Sequence, residues 1–455
     1  MTRKPRPTLI RDASPEGLET RAATGGFTRR QMLWLMAMAS GGLVTGCAVN
    51  PVTGQRQFIM MSPEEEKALD QENAPHQLSA DYGVVQDAAL RNYVTGVGRP
   101  IGGSSHRPDM PYSYNTLNAN YVNAYAFPGG TIGITRGILL EMESEAELAA
   151  LIGHEVAHVS ARHTAQRMSK STITGIVVAG LGAVLATQVD DTRAALALGL
   201  GGVAAGALLA RYSRNDERQA DNLGLEYMTK AGYNPQGMVD LMDMLRAMNS
   251  RQPSMLEQMF SSHPMSDERY RTTRREAEST YARYANAPMH RERYMDNTAA
   301  LRRLQPAIRL QQQAEAAAGQ RNFAEAERLL NDALRQAPND YTGLVLMAKV
   351  LMVQDKHNQA KPFLDRAIAA YPQEAQAQHL AGLVALEQGQ AQTALNRFQQ
   401  YEQLLPGNPN TQFFLGLSHE GLGQEEQANQ SYRRYLESGG SGESANYARQ
   451  RLTGS

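Results

Sequence analysis

Residues 151–163 read LIGHEVAHVSARH. His154 and His158 are four apart, which on an α-helix sets both imidazoles on one face, able to share one ion. Glu155 follows the first histidine and can reach water beside that ion. Zn²⁺ in such a site brings the pKa of water to ~7 and polarises a carbonyl. Glu155 would then take the water's proton during attack and pass it to the leaving amine. Gly153 places no side chain beside the first ligand, so backbone or substrate can come close. His163 lies nine residues past His154, half a turn off the ligand face, and is not counted as a ligand. A catalytic zinc, one per chain, needs a third protein ligand. The stretch SRNDERQAD (213–221) supplies Glu217 on a second helix, with Asp221 one turn later on the same face. Asp221 can accept the outer N–H of a ligating histidine and fix its tautomer. Taken singly, the histidine motif also fits an exposed helix face, and Glu217–Asp221 also fits a solvated acidic pair.

The elements that must position these groups are legible around them. Residues 144–169 form an expected helix, with Ser144 and Glu147 as a capping box and Leu148, Leu151, Ile152, Val156 and Val159 as its apolar stripe. A second helix starts at Ser213, with Gly232 to close it and Asn234–Pro235 to open the next. Upstream, 48–58 reads as a loop, Ser62–Pro63 as a helix start and 85–98 as helical. Residues 112–135 alternate as strands, with FPGG (127–130) as a turn. The strand Asn123, Ala124, Tyr125, Ala126, Phe127 is expected at a sheet edge beside the metal, where an extended substrate could pair with its backbone. An internal hairpin strand with no free edge is the alternative.

Composition narrows the class. The 455 residues are 42% hydrophobic and 20% charged with net charge −1, which points to a buried core and away from nucleic acid. The single cysteine, Cys47, rules out a disulfide framework within the chain. Arg29–Arg30, a short apolar run and LVTGC form an export signal over 1–46 that resembles a twin-arginine lipoprotein leader, with Cys47 as the lipidated residue. Ala48 after the cysteine favours the outer membrane. The expectation is a periplasmic protein held to that membrane by its lipid. Two apolar, Gly-rich runs within 173–210 are 15 and 17 residues long. They read as a buried or membrane-touching hairpin rather than a span, which needs ~20 residues.

From about 305 the chain acquires a period. Pro338, Pro372 and Pro406 are 34 residues apart, as are Ala326, Ala360, Ala394 and Ala428. Ala348, Gly382 and Gly416 keep the step, and Leu330, Leu364, Phe398 and Tyr432 follow the alanines by four. This resembles the tetratricopeptide repeat: small residues where paired helices cross, proline at the exit of each pair. About four repeats fill 305–455, with 291–304 as linker and 47–290 as the preceding domain. The fold expected is α+β, a mostly helical domain with a small sheet, followed by an all-α solenoid with a concave binding face.

NAYAFPGGTIGITRGIL (123–139), the HExxH motif, ExxAD (217–221) and SSHPMSDER (261–269) occur in that order. The series resembles the gluzincin metallopeptidases related to the yeast CAAX-processing protease. The resemblance implies His154, His158 and Glu217 as zinc ligands, Glu155 as general base and Asp221 as the partner of a ligating histidine. It implies that His263 binds the zinc in place of water until a loop moves, or donates to the oxyanion. Arg269 completes its HPxxxxR pattern and anchors that loop by a charge pair. It further implies unfolded or misassembled outer-membrane proteins as substrates, and the outer-membrane assembly machinery as a partner of the repeats. A chaperone or scaffold with a structural or silenced zinc site is the alternative function.

Overall fold

The computed structural model describes residues 47–169, 211–251 and 253–453. The leader (1–46) and the apolar stretch expected as a hairpin (173–210) lie outside them. Among the described residues no helix is long and apolar enough to cross a membrane.

The opening segment is not the loop that its turn residues suggest. Strands β1 (Cys47–Val49) and β2 (Arg56–Phe58) pair antiparallel. Asn50 closes their turn: its Oδ1 accepts from Val52 N at 2.7 Å and Thr53 N at 3.2 Å, while its Nδ2 donates to Ala161 O. The helix Pro63–Ala80 then starts on a full capping box between Ser62 and Glu65, and Asp87 caps the helix Ala88–Gly103.

Strands β3 (Ser113–Leu117), β4 (Ala124–Ala126) and β5 (Thr131–Thr135) form one sheet in the order β3-β5-β4. The FPGG turn makes β4 and β5 antiparallel neighbours, whereas β3 runs parallel to β5. Ala124 and Ala126 pack in the main core with Leu148, Leu151 and Ile152 of the helix Glu145–Ser160. Tyr125 and Phe127 face the opposite side, against Leu117, Ala74 and Leu78. Ser144 caps the long helix, but Glu147 bonds the Ser144 hydroxyl and Glu143 N, so only half of a capping box forms. The helix Arg214–Lys230 starts on a full box between Ser213 and Asp216 and packs directly on Glu145–Ser160. Helices Gln236–Arg251, Pro253–Ser262 and Asp267–Glu278 complete this half.

The stretch expected as a linker is a packed helix, Arg291–Arg303, because Tyr294, Thr298 and Leu301 give it a buried face. Four helix pairs follow from Gln305 to Glu437, closed by the helix Gly442–Thr453. Their small residues do what the period requires. A Cβ on Gly382 or Gly416 would collide with the ring of Phe398 or Tyr432 from the next helix.

The first helices of successive pairs meet the front half along a polar seam. Arg136, wholly buried, pairs with Asp340 at 2.6 Å and donates to Asn120 Oδ1 and Gln311 Oε1. Thr342 and Gln312 donate to the backbone carbonyls of Asn118 and Asn120. Part of the repeat surface is therefore already covered by the chain's own front half.

Candidate metal centre

Two helices cross where neither has a side chain. A Cβ on Gly153 would lie 2.9 Å from Gly224 O, so the backbones of Glu145–Ser160 and Arg214–Lys230 touch. That contact brings Glu217 to the histidine face. Ligand atoms of His154, His158, Glu217 and His263 all lie within 4.8 Å of one another, and all four residues are buried. His154 Nε2 is 3.1 Å from His158 Nε2, and Glu217 Oε1 is 3.4 Å from His158 Nε2. His263, at the end of the helix Pro253–Ser262, places Nδ1 3.1 Å from Glu217 Oε1 and 3.4 Å from His154 Nε2. Glu155 Oε1 is 3.8 Å from His263 Nε2.

The outer nitrogens decide which atoms face inward. His154 Nδ1 is 3.1 Å from Asp221 Oδ1, an acceptor, so it carries the proton and Nε2 presents a lone pair. His158 Nδ1 is 2.9 Å from His163 Nδ1, and His163 Nε2 is 3.0 Å from Gln219 Oε1. With its Nε2–H given to Gln219, neutral His163 accepts at Nδ1, so His158 donates there and turns its own Nε2 lone pair inward. His163 thus reaches the centre that helical periodicity denied it. The helix ends at Ser160, and Arg162 at φ 60° turns the chain before a new turn begins. Tyr212 was equally silent in the sequence: its ring stacks on His158 at 3.8 Å between centroids.

Electrostatics favour a cation in this space. Three buried carboxylates, Glu155, Glu217 and Asp221, face one buried guanidinium, Arg269. Arg269 holds both Asp221 oxygens at 2.7 and 2.8 Å, approaches Glu217 Oε2 at 2.5 Å and donates to Pro264 O. Burial would raise the Asp221 pKa, but Arg269 outweighs it and holds the carboxyl below its usual value. Burial opposes ionisation of Glu217 too, yet His263 and His158 keep it well below the usual range. Burial, helped by the neighbouring imidazoles of His154 and His163, pushes His158 well below the ordinary value, into the neutral form a metal needs. Burial raises Glu155, neither of whose oxygens has a hydrogen-bond partner. Two inward lone pairs 3.1 Å apart, beside the Glu217 carboxylate, fit a divalent ion bound by nitrogen and oxygen.

The strand β4 runs beside this centre. Asn123 O accepts from Thr135 N, and Phe127 N donates to Thr131 O. By antiparallel alternation, Ala124 and Ala126 turn their N–H and C=O away from β5, along the outer edge. A narrow cleft lies there, lined by Tyr121, Asn123, Tyr125, Tyr212 and Ser261–His263.

The model of Peptidase family M48 matches residues 88–277, a span that encloses every residue of the centre. Tetratricopeptide-repeat models match 317–383 and 379–448. Among curated relatives, the beta-barrel assembly-enhancing protease of Yersinia pestis is 28% identical over 244 residues, 52% of this chain and 49% of that one. Its namesake in Escherichia coli K12 is 24% identical over 371 residues, 79% of this chain and 71% of that one. The Escherichia coli metalloprotease YcaL is 26% identical over 246 residues, 52% of this chain and 93% of that one. The chain spans about half the length of the Yersinia pestis relative.

Proposed function

We propose that the chain is a zinc-dependent endopeptidase of the bacterial periplasm that degrades misfolded or stalled outer-membrane proteins. The observation that carries this is the convergence of His154, His158 and Glu217 from two helices, with the Glu155 carboxylate, which accepts no hydrogen bond, beside them. His154, His158 and Glu217 would hold the metal. Zinc in such a donor set supplies Lewis acidity, polarising a carbonyl and making water a usable nucleophile near neutral pH. Glu155 is the group placed to take a proton from that water and return it to the leaving amine. Asp221 and His163 keep the histidine lone pairs aimed inward, and Arg269 fixes Asp221 and Glu217 together. His263 sits among the ligands, so cleavage requires the Ser262–His263 segment to withdraw. The edge of β4 would pair with an extended segment of substrate, which gives sequence-tolerant binding suited to unfolded chains. Acylation at Cys47 would hold the protein to the outer membrane. The repeats would contact the assembly machinery or its clients through surface that the front half leaves free.

A Glu155→Gln variant tests the reading. It should retain stoichiometric zinc and lose cleavage of an unfolded outer-membrane protein by at least a hundredfold. Restoration of envelope assembly in a null strain by this variant as well as by wild type would make the protein a scaffold instead. Palmitate labelling of wild type, lost in Cys47→Ala, tests the anchor; equal labelling refutes it.

A further inference from the structure

We infer that Asp81 is a positioning residue for the substrate strand, through which the repeat array acts on that strand. The inference rests on the peptidase reading and adds a route of control to it. Asp81 ends the helix Pro63–Ala80, and its carboxylate is buried. Oδ1 accepts the Tyr121 hydroxyl at 2.6 Å, and Oδ2 accepts the Tyr125 hydroxyl at 2.6 Å and Gln77 Nε2 at 3.0 Å. Tyr125 is the middle residue of β4, and both tyrosines wall the cleft beside His263.

Little else lets the Tyr125 side chain move. Its ring lies flat over Gly133 of β5, where a Cβ would come within 2.6 Å of it, and the Phe127 ring meets it edge-on at 5.9 Å. The carboxylate fastens the far end of the ring. With Tyr125 pinned, the flanking peptide groups at Ala124 and Ala126 are held in the pleat that an added strand must match.

The repeats grip the other side of Asp81. Glu374 accepts from the Ser79 hydroxyl, and Gln376 Nε2 donates to the carbonyls of Ser79 and Ala80, each at 3.4 Å. The Lys349 ammonium lies 4.7 Å from the Tyr82 ring centroid. Tyr82 takes φ 64° and Gly83 φ 72°, so the turn after Asp81 is folded against the repeats in a conformation that tyrosine seldom adopts. A displacement of the third helix pair would therefore be felt first at Asp81 and next at the two tyrosines.

The test measures binding of a fluorescent unstructured peptide to the full zinc-loaded chain in a Glu155→Gln background. Asp81→Asn keeps the shape but puts an NH2 donor where one carboxylate oxygen accepted a tyrosine hydroxyl, and should weaken binding about tenfold. Zinc content and thermal midpoint should stay at the parent's values. Tyr125→Phe should weaken binding to a similar degree, and the double variant should be no worse than either single one, since both remove one link. Gln376→Ala, on the repeats, should weaken binding about threefold, the size of one neutral hydrogen bond. In the active background, Asp81→Asn should raise KM and leave kcat within a factor of two. Wild-type affinity in Asp81→Asn, or additive effects of the two substitutions, overturns the inference. If Asp81→Asn loses zinc or melts early, Tyr125→Phe alone decides, and unchanged affinity there overturns it. Should the parent bind no peptide and the wild type cut none, the peptidase reading fails, and this inference with it.

Discussion

Gly153→Ala should separate the two helices that carry the metal ligands. The added Cβ would stand 2.9 Å from Gly224 O and 3.3 Å from Gly224 Cα, where ordinary contact begins at 3.4 Å. Both obstacles are backbone, so neither can rotate aside, and the helices must part by about 0.5 Å, the shortfall of 2.9 Å against 3.4 Å. Glu217 lies seven residues before Gly224, about two turns along the same rigid rod, and moves with it. A zinc site tolerates ligand displacements of only ~0.2 Å. We expect zinc affinity to fall by at least tenfold and folding stability by about 1–3 kcal/mol, the usual cost of overpacking. Competition with a chelating dye would measure the first and urea unfolding of the zinc-loaded chain the second. Gly96→Ala is the control: a Cβ there meets nothing within 4 Å, so helix propensity should leave it neutral or slightly stabilising. Wild-type zinc affinity in Gly153→Ala would falsify the idea that this crossing sets the ligand geometry.

Two further outcomes follow from groups outside the ligand set. His163→Ala removes the acceptor that fixes the His158 tautomer and should lower zinc affinity about 10- to 100-fold while Glu155 stays in place; unchanged affinity by dye competition would show that His163 plays no such part. Burial raises Glu374 from 4.5 to about 7, so the folded chain holds its proton where the unfolded chain has lost it. Its contribution to stability is present below about pH 4.5 and is lost as pH rises through 7, a change of roughly 3 kcal/mol at most. Glu374→Gln, neutral throughout, should therefore gain on wild type between pH 5 and pH 8 in urea-unfolding midpoints. A gain that instead appears on acidification contradicts the assignment.

The parts of this molecule that were legible are those whose signal is local or periodic. The four-residue step between His154 and His158 needs only a helix to become a shared face. The 34-residue step of the repeats fixes where small residues meet rings, and the structure seats Phe398 and Tyr432 against Gly382 and Gly416. Other features depend on where the chain stops being regular. His163 was excluded by extending a helix that ends at Ser160, since nothing in the sequence marks Arg162 as left-handed. The parallel pairing of β3 with β5 is a long-range choice that alternation cannot express. The Asp340 carboxylate caps a helix, accepting from Gly343 N, and also neutralises Arg136 across the seam, a pairing 204 positions apart that no local pattern expresses. The role of Asp81 likewise comes from partners 40 and 44 positions away.

The side chain of Asn50 ties the opening hairpin to Ala161, the residue that ends the histidine-bearing helix. Asn50 lies three positions after Cys47, a reach of ~10 Å at full extension. With Cys47 acylated as proposed, the protein would have almost no leash. The hydrolytic site would graze the lipid headgroups instead of sweeping the space beyond them, and proteins that linger at the bilayer surface would meet it far more often than those passing through.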